Sequence, residues 1–337
     1  MKRKLGIIFA TMLIFSISSY FLVMTFGRKP LVRGEEEKNI VTSFYPVYII
    51  TGNLMQGIRG VRVVNLTENH TGCLHDYQLT TKDMLLMETA DLLVINGGGM
   101  ELFIKQAAEK LSGLTVVDSC EGMELLEGKA HDHDHDHGQE EDSFKEQNPK
   151  KEDMEEGQDA MFREDTEEME ENGHVWMDMG RYQMQVHTVA DGLCAAYPEL
   201  AGQIRENERI YCGKIAALMQ EYTDLKEILS GLLTITFHDA FIYLCDSFGT
   251  EVVHGIDLDA DSALSAGELA QLADEIRLHG VCYLLAEKET GGLAEQVARE
   301  TGSTVVYLDP LTSGEDDLDA YLTAMRANLE ELRSILP

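Results

Sequence analysis

The chain is poor in basic residues and lacks several short metal-binding and catalytic motifs. It has 27 Lys and Arg against 60 Asp and Glu, a formal net charge of −33 over 337 residues. Such a surface repels nucleic acid phosphates and attracts cations, which argues against DNA or RNA as a partner. None of the six cysteines forms a CxxC pair, which argues against a zinc ribbon or a thioredoxin-like site. The helical HExxH motif is also missing.

The first 27 residues have the pattern of a targeting segment. A basic start at residues 2–4 precedes an uncharged, largely apolar run from Leu5 to Phe26. This pattern predicts a secretion signal, and the run is also long enough to span a bilayer as an uncleaved anchor. We find no small-x-small cleavage site and no nearby cysteine that could carry a lipid. We therefore predict export, with the mode of attachment open, and a charged tether over residues 28–38.

Beyond the tether, short apolar runs alternate with amphipathic helical stretches, which indicates βα units around a mostly parallel sheet. We predict a first lobe over residues 39–197, a linking helix over 198–230 and a second lobe over 231–337. The linking helix would be about 45 Å long, enough to connect two lobes. The predicted class is α/β, with two βα lobes joined by a long rigid helix. The predicted strands are 40–43, 61–66, 92–96, 114–117, 232–237, 251–256, 281–287 and 304–308.

Residues 131–171 interrupt the first lobe with an acidic segment that has almost no apolar periodicity. The segment holds 18 acidic residues against four basic ones. Because it cannot bury enough surface to offset its ordering entropy, it is predicted to be disordered. Alternating imidazole and carboxylate groups at its start predict weak, exchangeable metal sites. The histidines of this run are His131, His133, His135 and His137.

Three histidines and one aspartate lie beside predicted strands or at the end of the acidic segment. His75 and His174 fall in the first half of the chain, whereas His238 and Asp309 directly follow strands of the second half. Ligands bind at the carboxyl ends of strands in open parallel sheets, so a cleft between the lobes could collect all four. Taken singly, such a histidine is more often a satisfied polar residue, and Asp309 is an ordinary turn opener before proline. Together they predict a closed tetrahedral Zn²⁺ shell, with selectivity over Mn²⁺ left open.

Six short motifs occur in order along the chain: Val41–Tyr48, His75–Asp83, Asn96–Glu101, His174–Asp178, Phe237–Phe241 and Val306–Leu311. In this order they resemble the metal-binding receptors of zinc and manganese ABC importers, especially the zinc members. The resemblance runs from about Ile40 to the C-terminus and implies two βα lobes joined by a rigid helix. A His- and acid-rich insertion between the first two ligand motifs is typical of the zinc members. The ligand roles that the resemblance implies fall on His75, His174, His238 and Asp309.

The resemblance implies an extracytoplasmic receptor that binds Zn²⁺ with high affinity as its transported ligand. It would act as a monomer near the outer face of the cytoplasmic membrane, pass the ion to an ABC importer permease, and catalyse no reaction. A manganese receptor of the same architecture remains an alternative. A zinc-dependent hydrolase is a further one, with Glu287 or Asp239 as general base if Asp309 were not a ligand.

Three positions depart from the family pattern. Leu74, Gly173 and Met179 stand where members of the family usually have proline. Because proline fixes a backbone dihedral angle, its loss predicts looser loops around the site. The fourth donor also varies among the zinc members, so a carboxylate from the acidic segment, or water, could replace Asp309.

Overall fold

The computed structural model describes residues 38–68, 77–108, 110–111, 113–128, 171–256, 264–288 and 291–335. Within these ranges the chain forms two lobes, each built on a four-stranded parallel sheet. No helix of these ranges is both long and apolar enough to cross a membrane. The predicted targeting segment, the tether before Lys38 and the acidic segment up to residue 170 lie outside the described residues.

Short runs of aliphatic residues form the strands of the first lobe, where side chains of this kind suit a pleated surface. Its main elements are β1 (Lys38–Thr42), α1 (Tyr45–Leu54), β2 (Val61–Asn65), α2 (Thr81–Glu88), β3 (Leu92–Ile95), α3 (Leu102–Ala108) and β4 (Thr115–Asp118). The sheet order is β2-β1-β3-β4. Every residue of β3 is buried, as expected for an inner strand with helices on both faces.

A short antiparallel ribbon connects the two sides of the acidic segment. Its strands are β5 (Leu126–Glu127) and β6 (Glu171–Asn172), and Leu126 faces Asn172 across the ribbon. A 3-10 turn, Val175–Met177, follows directly. The ribbon therefore ends two residues before the first candidate ligand that the structure describes, His174.

The helix that follows this turn begins with a side-chain cap. The Asp178 carboxylate accepts the backbone N–H groups of Gly180 and Arg181 at 2.6 and 3.0 Å, which satisfies two donors that the first helical turn leaves unpaired. This is α4 (Met179–Ala196), and its buried residues recur at helical spacing along one face. The capped end fixes the direction in which the chain leaves the 3-10 turn.

The segment predicted as one helix over residues 198–230 is interrupted. The Thr223 hydroxyl donates to the carbonyl oxygens of Met219 and Gln220 at 3.2 and 3.1 Å. Such local side-chain bonds compete with the helical hydrogen-bond ladder, and the helix breaks at Tyr222. The longer piece has 21 residues and a length of about 32 Å. The segment comprises a 3-10 turn (Pro198–Leu200), α5 (Ala201–Glu221) and α6 (Thr223–Leu229).

The second lobe repeats the alternation of strands and helices. Its elements are β7 (Leu233–Thr236), α7 (Ala240–Phe248), β8 (Glu251–Gly255), α8 (Ala266–His279), β9 (Tyr283–Ala286), α9 (Gly292–Thr301), β10 (Thr304–Tyr307) and α10 (Ala320–Ser334). The order of its sheet is β10-β9-β7-β8, again all parallel. The predicted α/β class with two parallel lobes is confirmed.

The chain between β10 and α10 returns to the first lobe and binds α1. The hydroxyl of Tyr45 donates to the carbonyl of Glu315 at 2.9 Å, and the amide of Asn53 donates to the carbonyl of Leu318 at 2.8 Å. A Cβ added at Gly314 would lie 2.4 Å from the Tyr45 hydroxyl oxygen. The close approach therefore requires glycine, and it joins the segment after Asp309 to the first lobe.

The five cysteines within the described ranges are all free thiols. Cys120 and Cys245 are buried in the main hydrophobic cluster, where a thiol packs like a small apolar residue. Burial raises the pKa of the Cys120 thiol above its usual range. Cys73 lies outside the described residues.

Candidate metal centre

His238 lies where the sequence predicts it, at the carboxyl end of a strand in the second lobe. Phe237 extends the pairing of β7 by donating its backbone N–H to the carbonyl of Leu285 at 2.8 Å. The Nδ1 atom of His238 accepts the backbone N–H of Ala240, the first residue of α7, at 3.0 Å. The residue is 5% exposed. Its ring is therefore held at the strand end by the main chain of its own turn.

His174 is held by the residue that ends the ribbon. The Asn172 Oδ1 atom accepts the backbone N–H of His174 at 3.0 Å and lies 2.8 Å from the ring atom Nδ1. Because an amide oxygen is only an acceptor, this contact places the ring proton on Nδ1 and the lone pair on Nε2. His174 is 1% exposed.

The two imidazole rings meet at the junction of the lobes. Their centroids are 5.2 Å apart and their planes are inclined by 82°. Glu287, which directly follows β9, places Oε1 3.9 Å from Nε2 of His238. Imidazole nitrogen and carboxylate oxygen are donors that bind Zn²⁺ and other divalent transition metal ions. The arrangement can therefore take part in holding such an ion.

Asp309 lies just beyond the carboxyl end of β10, separated from the strand by one residue, and its side chain closes the next turn. Its Oδ1 atom accepts the backbone N–H of Leu311 at 2.8 Å, and the side chain of Asn328 binds its backbone N–H and carbonyl groups. The buried Leu311 has a φ of 58°, in the left-handed region that leucine rarely adopts. Burial, followed by the negative charge of Asp309, raises the pKa of Tyr45 to about 12.

The structure brings together part of the predicted ligand set. The rings of His174 and His238 are buried and in contact with each other. Asp309, in contrast, lies at an exposed position. In the part of the chain that the structure describes, no three His, Cys, Asp or Glu side chains are grouped closely enough to hold a metal ion. The complete shell therefore stays a prediction. Five predicted metal-binding residues lie outside the described ranges: His75, His131, His133, His135 and His137.

Two other histidines pair with carboxylates away from this junction. His187 places Nδ1 2.6 Å from Oε1 of Glu208, and His254 places Nδ1 3.1 Å from Oε2 of Glu275. The side chain of His187 is 65% exposed. It is therefore a suitable position for a control substitution.

A fully buried carboxylate, that of Glu101, lies behind the His174 segment and was not predicted as a functional residue. The carboxylate of Glu101 accepts hydrogen bonds from the Ser43 hydroxyl at 2.5 Å, from the backbone N–H of Asn96 at 2.7 Å and from the backbone N–H of Gly97 at 3.0 Å. Burial raises the pKa of Glu101 to about 7, although these hydrogen bonds oppose the shift. The Asn96 side chain in turn donates to the carbonyl of Gly173 at 2.9 Å. The network therefore supports the residue that precedes His174.

Gly173 is tightly packed although it stands where the family usually has proline. A Cβ at this position would lie 2.4 Å from Cγ of Met100 and 2.7 Å from the carbonyl oxygen of Gly98. Any side chain would therefore displace its neighbours. Close packing, rather than a proline ring, restrains this turn.

The fold defines the class of two-lobed α/β proteins with parallel sheets, and the paired imidazoles make the lobe junction a candidate metal site. Two parallel sheets are joined through a helical segment, and candidate ligands from both halves meet between them. The chain belongs to the family described as zinc-uptake complex component A, periplasmic, whose model matches residues 40–335. The resemblance that the six motifs indicated is thereby confirmed.

Sequence relatives agree with this assignment, and a solved structure is similar to the chain in fold. The zinc-binding protein AdcA of Streptococcus pyogenes serotype M3 is 28% identical over 340 residues, which cover 99% of this chain and 61% of that protein. The high-affinity zinc uptake system protein ZnuA of Bacillus subtilis is 26% identical over 336 residues, covering 96% and 97% respectively. The Zn(II)-bound ZnuA-like domain of Streptococcus pneumoniae AdcA is similar in fold, with a TM-score of 0.66 at 23% identity, over 89% of this chain and 99% of that one. This chain thus spans 61% of the length of the S. pyogenes relative.

Proposed function

We propose that this protein is an extracytoplasmic receptor that binds Zn²⁺ with high affinity as its transported ligand and passes it to the permease of an ABC importer. It acts as a monomer near the outer face of the cytoplasmic membrane and is a binding protein rather than an enzyme. The observation that carries the proposal is the contact between two buried imidazoles, His174 and His238, from different lobes. Family membership and the zinc-binding relatives support the choice of ion.

The spacing of the two rings suits a shared zinc ion. Zinc binds imidazole nitrogen at about 2.0–2.1 Å, so two rings at a tetrahedral angle around one ion have centroids roughly 5 Å apart. The centroids of His174 and His238 are separated by 5.2 Å. The separation of this pair therefore matches that expected of two rings that share one zinc ion.

The proposed shell takes one donor from each of four separate segments. The donors are His75, His174, His238 and Asp309. Asp309 already accepts one N–H bond at Oδ1, but a carboxylate has about four acceptor positions and can also bind a metal ion. The histidines of the acidic segment would act as weak auxiliary sites that raise the local zinc concentration: His131, His133, His135 and His137.

Chelator-competition titrations of single-residue variants test this shell. Replacing any one of the four donors by Ala should weaken zinc binding by more than the roughly 10–100-fold that loss of an outer-shell partner costs. The exposed His187→Ala is the matched control and should bind zinc like the wild type. Wild-type affinity in both His174→Ala and His238→Ala would disprove the site.

Elemental analysis and metal competition distinguish the alternatives. The purified protein should contain one tightly bound zinc ion per chain, and Mn²⁺ should not displace it at equal concentration. A preference for Mn²⁺ would identify the manganese receptor instead. An open coordination position that holds water, together with a rate loss in Glu287→Gln, would indicate the hydrolase.

A further inference from the structure

The side-chain amide of Asn172 is bound at both ends. Its oxygen accepts the backbone N–H of His174 at 3.0 Å and lies 2.8 Å from the ring atom Nδ1. Its nitrogen donates to the carbonyl of Asp239 at 2.9 Å, and its backbone carbonyl accepts the hydroxyl of Tyr243 at 2.6 Å. The residue is 4% exposed. One buried side chain thus contacts the candidate ligand His174 directly. It also contacts Asp239, the residue next to the other candidate ligand, His238.

The chemistry of these contacts requires an amide. The oxygen end must accept twice from His174, and the nitrogen end must donate to Asp239. The two contacts also determine which end of the amide is oxygen, because a backbone N–H needs an acceptor and a carbonyl needs a donor. An apolar side chain of similar size would leave a buried N–H and a buried carbonyl without these bonds.

We propose that Asn172 is a positioning residue that orients His174 for metal binding and ties its ring to the turn that carries His238. The hydrogen bond made by one imidazole nitrogen selects the nitrogen that binds metal, so Asn172 directs Nε2 of His174 toward the ion. The same side chain holds the main chain next to His238, so both rings share one support across the lobe junction. This inference rests on the proposed zinc site, because it concerns two donors of that site.

The position of the ring proton in the metal-free protein is the first readout. Imidazole ¹⁵N resonances should show His174 protonated on Nδ1 in the wild type. Asn172→Ala should give a mixture of tautomers at His174 and about 10–100-fold weaker zinc binding. Asn172→Asp keeps the acceptor for Nδ1 but loses the donor to the Asp239 carbonyl, so it should retain the Nδ1 proton on His174 and bind zinc more weakly than the wild type.

Tyr243→Phe is the matched control. It removes the hydroxyl that binds the Asn172 backbone and leaves the side-chain contacts of Asn172 in place. It should lower stability yet keep the His174 tautomer, with zinc affinity within about threefold of the wild type because no partner of a ligand ring is lost. If Asn172 had a purely structural role, Tyr243→Phe and Asn172→Ala would instead have the same effect on the His174 tautomer and on zinc affinity.

A proton that stays on Nδ1 in Asn172→Ala would overturn the proposal. If Asn172→Ala does not fold, Asn172→Asp provides the test. Mixed tautomers of His174 in Asn172→Asp would also contradict the proposal. A wild type that binds no zinc would disprove the proposed function, but the tautomer comparison in metal-free protein would still test the positioning role.

Discussion

The indole Nε1–H of Trp176 donates a hydrogen bond to the carbonyl oxygen of Pro310 at 2.8 Å. This bond joins the turn after His174 to the turn after Asp309. The Trp176 ring is buried, and its centroid lies 5.1 Å from that of the His174 ring. The hydroxyl of Tyr321 also binds the backbone carbonyl of Trp176 at 2.9 Å. Trp176 therefore holds two candidate ligand segments at a fixed separation.

Trp176→Phe should weaken both the fold and zinc binding. The substitution leaves the Pro310 carbonyl without its donor and opens a cavity, so the free energy of unfolding should fall by about 2–4 kcal/mol. Zinc affinity should fall about tenfold, as for other losses next to a ligand. Urea denaturation followed by circular dichroism measures the first effect, because the substitution removes the only tryptophan.

Tyr321→Phe separates these two effects. It removes one hydroxyl that binds the Trp176 carbonyl and should cost about 1–2 kcal/mol of stability without changing zinc affinity. Equal zinc affinity in Trp176→Phe and the wild type would show that the bond to Pro310 does not position Asp309.

The strands were predictable because each is a short aliphatic run between turn residues, and few other structures fit such runs in alternation with helices. The predicted bounds of all eight sheet strands lie within two residues of those in the structure. The break at Tyr222 was not predictable from periodicity, because apolar positions continue through it while the Thr223 hydroxyl bonds to the backbone. The two-residue strands β5 and β6 are likewise too short to give a pattern.

The candidate ligands were easier to predict than the residues that support them. His238 directly follows a predicted strand, His174 stands at the end of the acidic segment, and both lie in recognisable motifs. Asn172 shows no such spacing, because the partner that links it to the second lobe is distant in sequence: Asn172 binds Asp239, 67 residues away. Glu101 lies within a motif and binds its close neighbours Asn96 and Gly97, but its third partner, Ser43, is 58 residues away. Only the folded chain brings such groups together, so a buried polar residue of this kind leaves no periodic signal.

Zinc binding should break the hydrogen bond between Ala240 and His238. The Nδ1 atom of His238 now accepts the Ala240 N–H, so a metal ion at Nε2 requires the ring proton to move to Nδ1. The Ala240 amide resonance should therefore shift on zinc addition, and its hydrogen exchange should accelerate. The Phe241 N–H, which donates to the His238 carbonyl at 3.1 Å, is the internal reference. An unchanged Ala240 amide at saturating zinc would exclude binding through Nε2 of a neutral His238.

Replacing residues 128–170 by an Asn-Gly turn should remove the weak zinc sites and keep the tight one. Glu127 and Glu171 are paired across the ribbon, so a two-residue hairpin turn can connect them. Calorimetry should show one tight binding event, within about threefold of the wild-type affinity because the contacts of the ligand rings are retained. Loss of the tight event would place a ligand within the deleted residues. A full-length control replaces four histidines by Asn: His131, His133, His135 and His137.

Glu101 should make the metal-free protein less stable as the pH rises toward neutrality. Its pKa in the folded state is about 7 because burial disfavours the charged form, whereas an unfolded glutamate titrates near 4.3. Between these values the folded state binds more protons than the unfolded state, so the free energy of unfolding falls with rising pH. The contribution of this group is fully present below about pH 4 and is lost as the pH rises through about 7, a change on the order of 3 kcal/mol.

Denaturation of Glu101→Gln at pH 5 and pH 7.5 measures this contribution. At acidic pH the variant should be less stable than the wild type. Its side-chain amide N–H would face the backbone N–H of Gly97, which the Glu101 side chain accepts at 3.0 Å in the wild type. The informative quantity is the pH slope, which should become flatter than that of the wild type. Glu88→Gln, at an exposed carboxylate in the same lobe, should keep the wild-type slope. Equal slopes in Glu101→Gln and the wild type would mean that the three hydrogen bonds to Glu101 fully offset its burial, with its carboxylate ionised throughout this range.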